Sequence, residues 1–353
     1  MAKTFAKEKD TSQHTALYRK YRPNEWAAVR GQEHITSVLT AAVEQGKVAH
    51  AYLFAGGRGT GKTSMARILA HALGVHDADL VEMDAASNRG VDDIRELREG
   101  VNTLPFESPY KVYIIDEAHM LTKEAFNALL KTLEEPPKYV VFILATTEID
   151  RMPETIRSRC QIFQFKKPSH EILKSLALDV AKEEGAKLTP AGAELIALMG
   201  DGSFRDTLGI LQKVLTISSD QQLTDEEVAR VVGAPSSALV NDFLRALAQR
   251  DTASAIAAFH TALEGGAEAK TFTLLAIAKV RGVLLLRFAP ATKSELEGQF
   301  NADDVAVLEE LSGKEGAAIN AALLSELIAA LLEMNRSPLP QISLELALFR
   351  TVQ

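Results

Sequence analysis

The chain has 353 residues, 46 % apolar and 24 % charged, with a formal net charge of −8. That length admits two or three domains of ordinary globular composition. No apolar run reaches membrane-span length, the first ten residues lack the apolar core of a secretory signal, and a lone cysteine, Cys160, excludes a disulfide frame and a cysteine-based zinc site.

The acidic balance argues against a general nucleic-acid coat, although a local basic surface needs only a few well-placed Arg and Lys. A cytoplasmic location is the default expectation. Residues 1–17 read as a polar, disordered tail. Four near-continuous apolar runs, residues 51–54, 80–83, 111–115 and 140–145, are the predicted strands, each expected to be buried on both faces as in a parallel sheet. Helical stretches over 63–73, 91–101 and 123–133 separate them, and the alternation predicts a doubly wound α/β sheet. Pro136-Pro137 stops a helix after Glu135. Beyond Pro168 the spacing is helical over 169–184, 190–199, 205–217 and 225–232, with Ser169, Thr189 and Thr224 as N-caps. No strand-like run remains there. After the linker Gly233-Ala234-Pro235 the chain is again helical and rich in Ala and Leu. The expected division is an α/β domain over 18–168, a small helical lid over 169–233 and an all-helical domain over 234–353.

Between the first predicted strand and helix lies Gly56-Gly57-Arg58-Gly59-Thr60-Gly61-Lys62-Thr63-Ser64, which fits the phosphate-loop pattern G-x-x-x-x-G-K-[ST]. Backbone N–H groups of such a turn, at a helix N-terminus, cradle an anion. Lys62 is placed to reach the outer phosphates and Thr63 to put its hydroxyl on Mg²⁺. Asp116 ends the third strand and can hold the metal, usually through water, while Glu117 can orient and deprotonate an attacking water. His119 has no second metal ligand at suitable spacing and reads as a structural or coupling residue. Thr146-Thr147 end the fourth strand, and Thr147 is the choice for a polar sensor beside the γ-phosphate if that strand neighbours the one ending at Asp116. Arg159, in Ser158-Arg159-Cys160, closes no evident local ion pair, so it is either a surface residue or a finger donated to a neighbour's phosphate. Arg205 opens a later helix and either reaches the same nucleotide or pairs with Asp206.

The segments Tyr18-Arg19-Lys20-Tyr21-Arg22-Pro23, Gly31-Gln32-Glu33-His34, the phosphate loop, Glu82-Met83-Asp84-Ala85-Ala86-Ser87, Asp116-Glu117-Ala118-His119, the block from Asn127 to Pro137, Ala145-Thr146-Thr147 and Ser158-Arg159-Cys160 resemble the bacterial DNA polymerase III gamma/tau family. Its members are clamp-loader motors of the AAA+ class. The match is dense over residues 18–160, continues at 202–208, and in the last domain rests only on helical character, length and the closing helix over 344–350. The resemblance implies an AAA+ phosphate-loop sheet with a helical lid and an all-α oligomerising collar. It implies an ATPase within the polymerase III holoenzyme that opens a sliding clamp and loads it on primer–template DNA. Lys62 and Thr63 would bind ATP and Mg²⁺, with Asp116 and Glu117 as the Walker B pair. Thr147 would be sensor 1 and Arg205 sensor 2. Arg159 would be the finger given in trans, supported by Lys131. Tyr18, Arg19, Pro23, Val29 and Arg30 would form the base pocket, and Arg89 and Arg95 would touch DNA phosphates. The implied partners are other clamp-loader subunits in a pentamer joined through the collar, the clamp and primed DNA, with no membrane. Family members usually carry a four-cysteine zinc module after the helix that follows the phosphate loop. Here residues 73–79 run almost directly into the next strand, so no zinc is expected, and the chain closes at Gln353 without a tau-type extension. Another AAA+ motor of the branch-migration kind and a non-hydrolysing scaffold are the competing readings.

Overall fold

In a computed structural model, which describes residues 15–218, 221–313 and 316–351, the chain forms two compact units. The first runs through Leu173 and includes Gly200–Gly209; the second holds Lys174–Met199 and everything from Ile210 on. Most of the N-terminal stretch read as a disordered tail lies outside the described residues.

The first unit opens with α1 (Leu17–Lys20) and α2 (Glu33–Glu44), followed by β1 (Ala51–Ala55), α3 (Lys62–Ala72) and β2 (Leu80–Asp84). It continues through α4 (Val91–Val101), β3 (Lys111–Asp116), α5 (Lys123–Glu134), β4 (Val140–Thr146), α6 (Glu154–Arg157) and β5 (Gln161–Gln164) to the start of α7 (His170–Glu183). The strands form one parallel sheet in the order β2-β3-β4-β1-β5. Successive side chains of a strand point to opposite faces. Leu53, Tyr113, Ile115, Phe142 and Leu144 therefore pack with Ile94, Leu97, Phe126, Leu129 and Ile156 of α4, α5 and α6. Tyr52, Phe54, Val112, Ile114 and Ile143 pack on the other face with Ile35, Leu39, Met65 and Leu69 of α2 and α3.

Two expectations need correction. β2 was expected to be buried on both faces, yet it is the edge strand, with Val81, Glu82 and Asp84 exposed. The opposite edge, β5, was missed because an edge strand buries little: of Gln161-Ile162-Phe163-Gln164 only Phe163 is in the core. The helical reading beyond Pro168 also overlooked β6 (Lys187–Leu188), which pairs in parallel with the later β7 (Gln222–Leu223). Two residues are too few to show a period.

In the second unit α8 (Pro190–Met199), α9 (Phe204–Ile217, shared with the first unit) and α10 (Asp225–Val232) precede a larger helical body. The predicted caps form. Ser169 Oγ accepts the Ile172 N–H at 3.3 Å, Thr189 Oγ1 that of Gly192 at 2.9 Å and Thr224 Oγ1 that of Glu227 at 3.3 Å. The body comprises α11 (Ser237–Ala248), α12 (Thr252–Glu264), α13 (Ala269–Phe288), α14 (Lys293–Gln299), α15 (Ala302–Ser312), α16 (Ala321–Met334) and α17 (Pro340–Thr351). Its core joins Phe243 and Phe259, whose rings each lie with centroids 5.1 Å from that of Phe272, to Val280, Leu308, Leu327 and Leu344. Among the described residues no helix is long and apolar enough to cross a membrane.

Candidate nucleotide site

The site grows from the C-terminal ends of β1, β3 and β4, where a parallel sheet opens a crevice for ligands. The turn after β1 needs glycine. Gly59 and Gly61 have φ of 69° and 100°, and a Cβ on Gly59 would fall 1.9 Å from Ser203 Oγ. The Phe204 N–H donates to the Gly59 carbonyl at 3.0 Å, so the segment Gly202-Ser203-Phe204 is docked on the loop. Thr60 is buried and donates to the Gly57 carbonyl at 2.9 Å, while Arg58 lies exposed on the turn and Ser64 in the first turn of α3.

Lys62 is buried, and its Nζ donates to the Gly56 and Gly57 carbonyls at 2.8 Å each. Burial lowers its pKa, and the charges of Glu117 and Asp116 oppose that shift. Thr63 Oγ1 donates to Asp116 Oδ2 at 2.7 Å. This hydroxyl and carboxylate, one residue from the loop lysine, fit a hard divalent cation, which takes oxygen ligands. The structure thus gathers Lys62, Thr63 and Asp116, and β4 does neighbour β3 as the sensor reading required.

Glu117 follows with φ 47°, a left-handed conformation uncommon for a residue with a side chain. Thr147 Oγ1 donates to its Oε2 at 2.9 Å. His119, buried in a 3₁₀ turn over Ala118–Met120, places Nδ1 3.0 Å from Thr146 Oγ1 and 3.5 Å from Glu117 Oε2, with Nε2 3.4 Å from Glu148 Oε1. Glu148 was missed by the motif reading, although it directly follows the two threonines.

A second group lies on the loop's other flank. Arg205 stacks over the Tyr18 ring with its guanidinium carbon 4.8 Å from the centroid, and Arg19 lies 5.9 Å from the same ring. Hydrogen bonds from Arg205 and then Arg19 hold the Tyr18 phenol below its ordinary pKa. Arg205 is thus turned to Tyr18. Pro23, Val29 and Arg30 lie between α1 and α2, Val29 against the α2–α3 side of the core. Burial and then the nearby Arg67 lower the pKa of Arg22, which no motif singled out. The Gly31-Gln32-Glu33-His34 segment has a structural reason. Buried Gln32 donates to the Lys166 carbonyl at 2.7 Å and accepts its N–H at 3.2 Å, while His34 Nε2 meets the Gln164 carbonyl at 3.1 Å.

Arg159 closes no ion pair local in sequence, but it does close a distant one. Its guanidinium meets Glu134 Oε1 at 2.6 Å and the Thr155 carbonyl at 2.8 Å. Glu134 ends α5, 25 residues upstream, a pairing that no local spacing reveals. Burial pushes the neighbouring Cys160 thiol up to about 12, so it is no nucleophile. Lys131 is exposed on α5, and Arg95 is exposed on α4, paired with Asp92 at 2.9 Å. Arg89 donates to the Ala86 carbonyl at 2.8 Å on the loop before α4. After α3 the chain turns through a 3₁₀ turn over Asp77–Asp79 straight into β2.

The fold is similar to that of the Thermotoga maritima RuvB Holliday junction branch migration motor: TM-score 0.52, 23 % identity, covering 65 % of this chain and 78 % of that one. At that identity the likeness concerns the fold alone and says nothing of activity. The family profile described as DNA polymerase III, delta subunit, matches residues 31–89 and 74–169, and the one described as DNA polymerase III subunits gamma and tau domain III matches 223–353. The Mycobacterium tuberculosis DNA polymerase III subunit gamma/tau is 37 % identical over 358 residues, covering 95 % of this chain and 62 % of the relative. The Bacillus subtilis subunit tau is 40 % identical over 303 residues, covering 80 % and 54 %, and the Escherichia coli tau 35 % over 296 residues, covering 78 % and 46 %. The chain therefore spans less than two thirds of the length of these curated relatives. On this similarity along nearly all of its own length, the chain belongs to the DNA polymerase III gamma/tau family.

Proposed function

We propose that this chain is an ATP-hydrolysing motor of a clamp loader, acting with other subunits to open a ring clamp and place it on primer–template DNA. The observation that carries the reading is the convergence at one crevice of Lys62, the Thr63–Asp116 pair at 2.7 Å and the Glu117–Thr147 pair at 2.9 Å. A scaffold that had lost hydrolysis would have no need of the last pair.

In this reading the loop N–H groups and Lys62 bind the phosphates, and Arg205 closes over the nucleotide beside the base pocket of Tyr18, Arg19, Pro23, Val29 and Arg30. Mg²⁺, when bound by Thr63 and Asp116, would neutralise charge on the outer phosphates. Glu117 orients a water and takes its proton, and Thr147 fixes the carboxylate that does so. Arg159 acts on a neighbour's nucleotide, so an isolated subunit hydrolyses slowly; a finger given in trans contributes about 10³–10⁵ in rate. Arg89 and Arg95 touch DNA phosphates, contacts that position without reading sequence. The helical body over 234–353 is the collar.

ATP hydrolysis by the reconstituted complex, with and without clamp and primed DNA, tests this for wild type and Arg159→Ala. Stimulation by both, lost in the variant, is expected. Activity indifferent to clamp and to Arg159 would move the chain to another AAA+ branch, and no hydrolysis at all would make it a scaffold.

A further inference from the structure

The His119 network has no role in the scheme above. Its side chain is 5 % exposed, and both ring nitrogens face carboxylates: Glu117 Oε2 lies 3.5 Å from Nδ1 and Glu148 Oε1 3.4 Å from Nε2. A buried histidine held only for packing has no reason to sit between two acids. Glu117 is the residue whose backbone is forced into the left-handed region, at φ 47°. Its carboxylate meets the Thr147 hydroxyl and faces the His119 ring.

The ring of His119 is held at both edges. Fully buried Thr146 uses its Oγ1 to accept the Glu148 N–H at 3.0 Å. The same Oγ1 lies 3.0 Å from His119 Nδ1, the hydroxyl donating or accepting there according to the ring's tautomer. Nε2, on the opposite edge of the ring, faces Glu148. Glu148 is itself steadied by Arg151, whose Nε lies 2.9 Å from Oε2. Nδ1 faces the same Glu117 oxygen that Thr147 donates to, so the ring and the threonine flank that oxygen from two directions and limit the carboxylate's rotation.

We infer that His119, fixed by Thr146 and Glu148, is a positioning residue that holds the Glu117 carboxylate on Thr147 in the orientation needed to receive a proton from water. The inference rests on the reading of Glu117 as the base. The logic is that of a base oriented by a third group. It also gives Glu148 a role that no motif assigns.

The test uses the full chain in its reconstituted complex with clamp and primed DNA, measuring steady-state kcat, nucleotide affinity by fluorescent-ATP titration and melting. His119→Leu keeps the bulk and removes both ring nitrogens; it should lower kcat by about 10- to 100-fold, the cost of a misaligned group, with affinity and melting unchanged. His119→Asn offers an amide, able to donate or accept, where Nδ1 meets Thr146, and should recover most of the loss. Glu148→Ala, at an exposed position that does not threaten folding, should lower kcat in the same direction, and Glu148→Gln, which keeps a polar partner facing Nε2, should restore it. A His119→Leu complex within about twofold of wild type while Glu117→Gln is inactive overturns the inference and leaves the ATPase reading intact. So does a loss of kcat matched by loss of melting temperature, or one that Asn does not relieve. If Glu117→Gln hydrolyses ATP like wild type, the reading of the base fails and the inference falls with it.

Discussion

The two units bury polar groups to opposite ends. In the second, Lys279 and Asp304 are almost fully enclosed, and Lys279 Nζ donates to Asp304 Oδ1 at 2.7 Å, Asn241 Oδ1 at 2.7 Å and Ser237 Oγ at 2.6 Å. Ser237 Oγ and Asn241 Nδ2 donate in turn to Asp304, so the network satisfies itself on relaxed helices. In the first, Lys62, Thr63 and Asp116 meet with Asp116 still partly open to solvent, beside a left-handed Glu117 and a loop of positive-φ glycines. Burial of a charge is common to both. What marks the site is spare bonding capacity with strain and an open side.

The sharpest way to break that contrast is Glu117→Gln. It should lower hydrolysis by about 10²–10⁴-fold while leaving melting unchanged, because the carboxylate serves chemistry and not the fold. A large loss of stability with it would put Glu117 in the same class as Asp304. Conversely Asp304→Ala strands a buried ammonium, and should cost about 3–5 kcal/mol in the unfolding of the second unit by urea denaturation. Burial already lowers the pKa of Lys279, with Asp304 opposing. Replacing the pair together, Lys279→Met with Asp304→Leu, should cost far less than Asp304→Ala, since no charge is left uncompensated. Nucleotide affinity should stay at the wild-type value in both.

The sheet was legible because β1, β3 and β4 are central, so that both faces demand apolar residues over five to seven positions. β5 and the two-residue β6–β7 pair were not, because one paired edge or one short bridge leaves no periodic trace. Lys62, Thr63 and Asp116 were legible because their spacing is set by a local strand–turn–helix and by one neighbouring strand end. Glu134, Glu148 and Ser203 were not, since their partners lie far along the chain or on a facing turn and only the folded chain joins them. The ion pair of Arg159 is instructive: the nearest acids in sequence are not its partners, and the end of α5 delivers one.

Asp79 sharpens the comparison inside the first unit, for it is a closed case next to an open one. It is buried, and its two oxygens accept the Phe106, Glu107 and Ser108 N–H groups at 2.6, 2.9 and 2.9 Å. Burial alone would raise its pKa, but these bonds, with one from the Ser108 hydroxyl, hold it at about 2. A carboxyl depressed in the folded state stabilises the protein fully above its ordinary value of 3.8, and that contribution is lost as pH falls toward about 2. Asp79→Asn should therefore cost about 1–3 kcal/mol at neutral pH, the penalty of buried donors left unpaired. Denaturant titrations of both proteins should show the gap narrowing below 3.8. A gap constant with pH would mean that the loop over 106–108 does not depend on the charge.

The smallest effect concerns charges that are not buried at all. Arg95 and Asp92 pair at 2.9 Å on α4 with side chains 62 % and 94 % exposed, a contact three residues apart that is worth only a few tenths of a kcal/mol. So weak a pair can be given up for a phosphate, and the acid competes with the DNA for the guanidinium. Arg95→Ala should weaken primed-DNA binding and reduce the salt slope by about one. Asp92→Asn should act the other way, tightening binding slightly, because it frees Arg95 and removes a negative charge that the duplex would approach. In an Arg95→Ala background that gain should shrink to the part owed to the charge alone. Fluorescence anisotropy across a salt series separates these. If Asp92→Asn gains as much without Arg95 as with it, then α4 meets DNA only through its general field, and the specific contact at Arg95 is wrong.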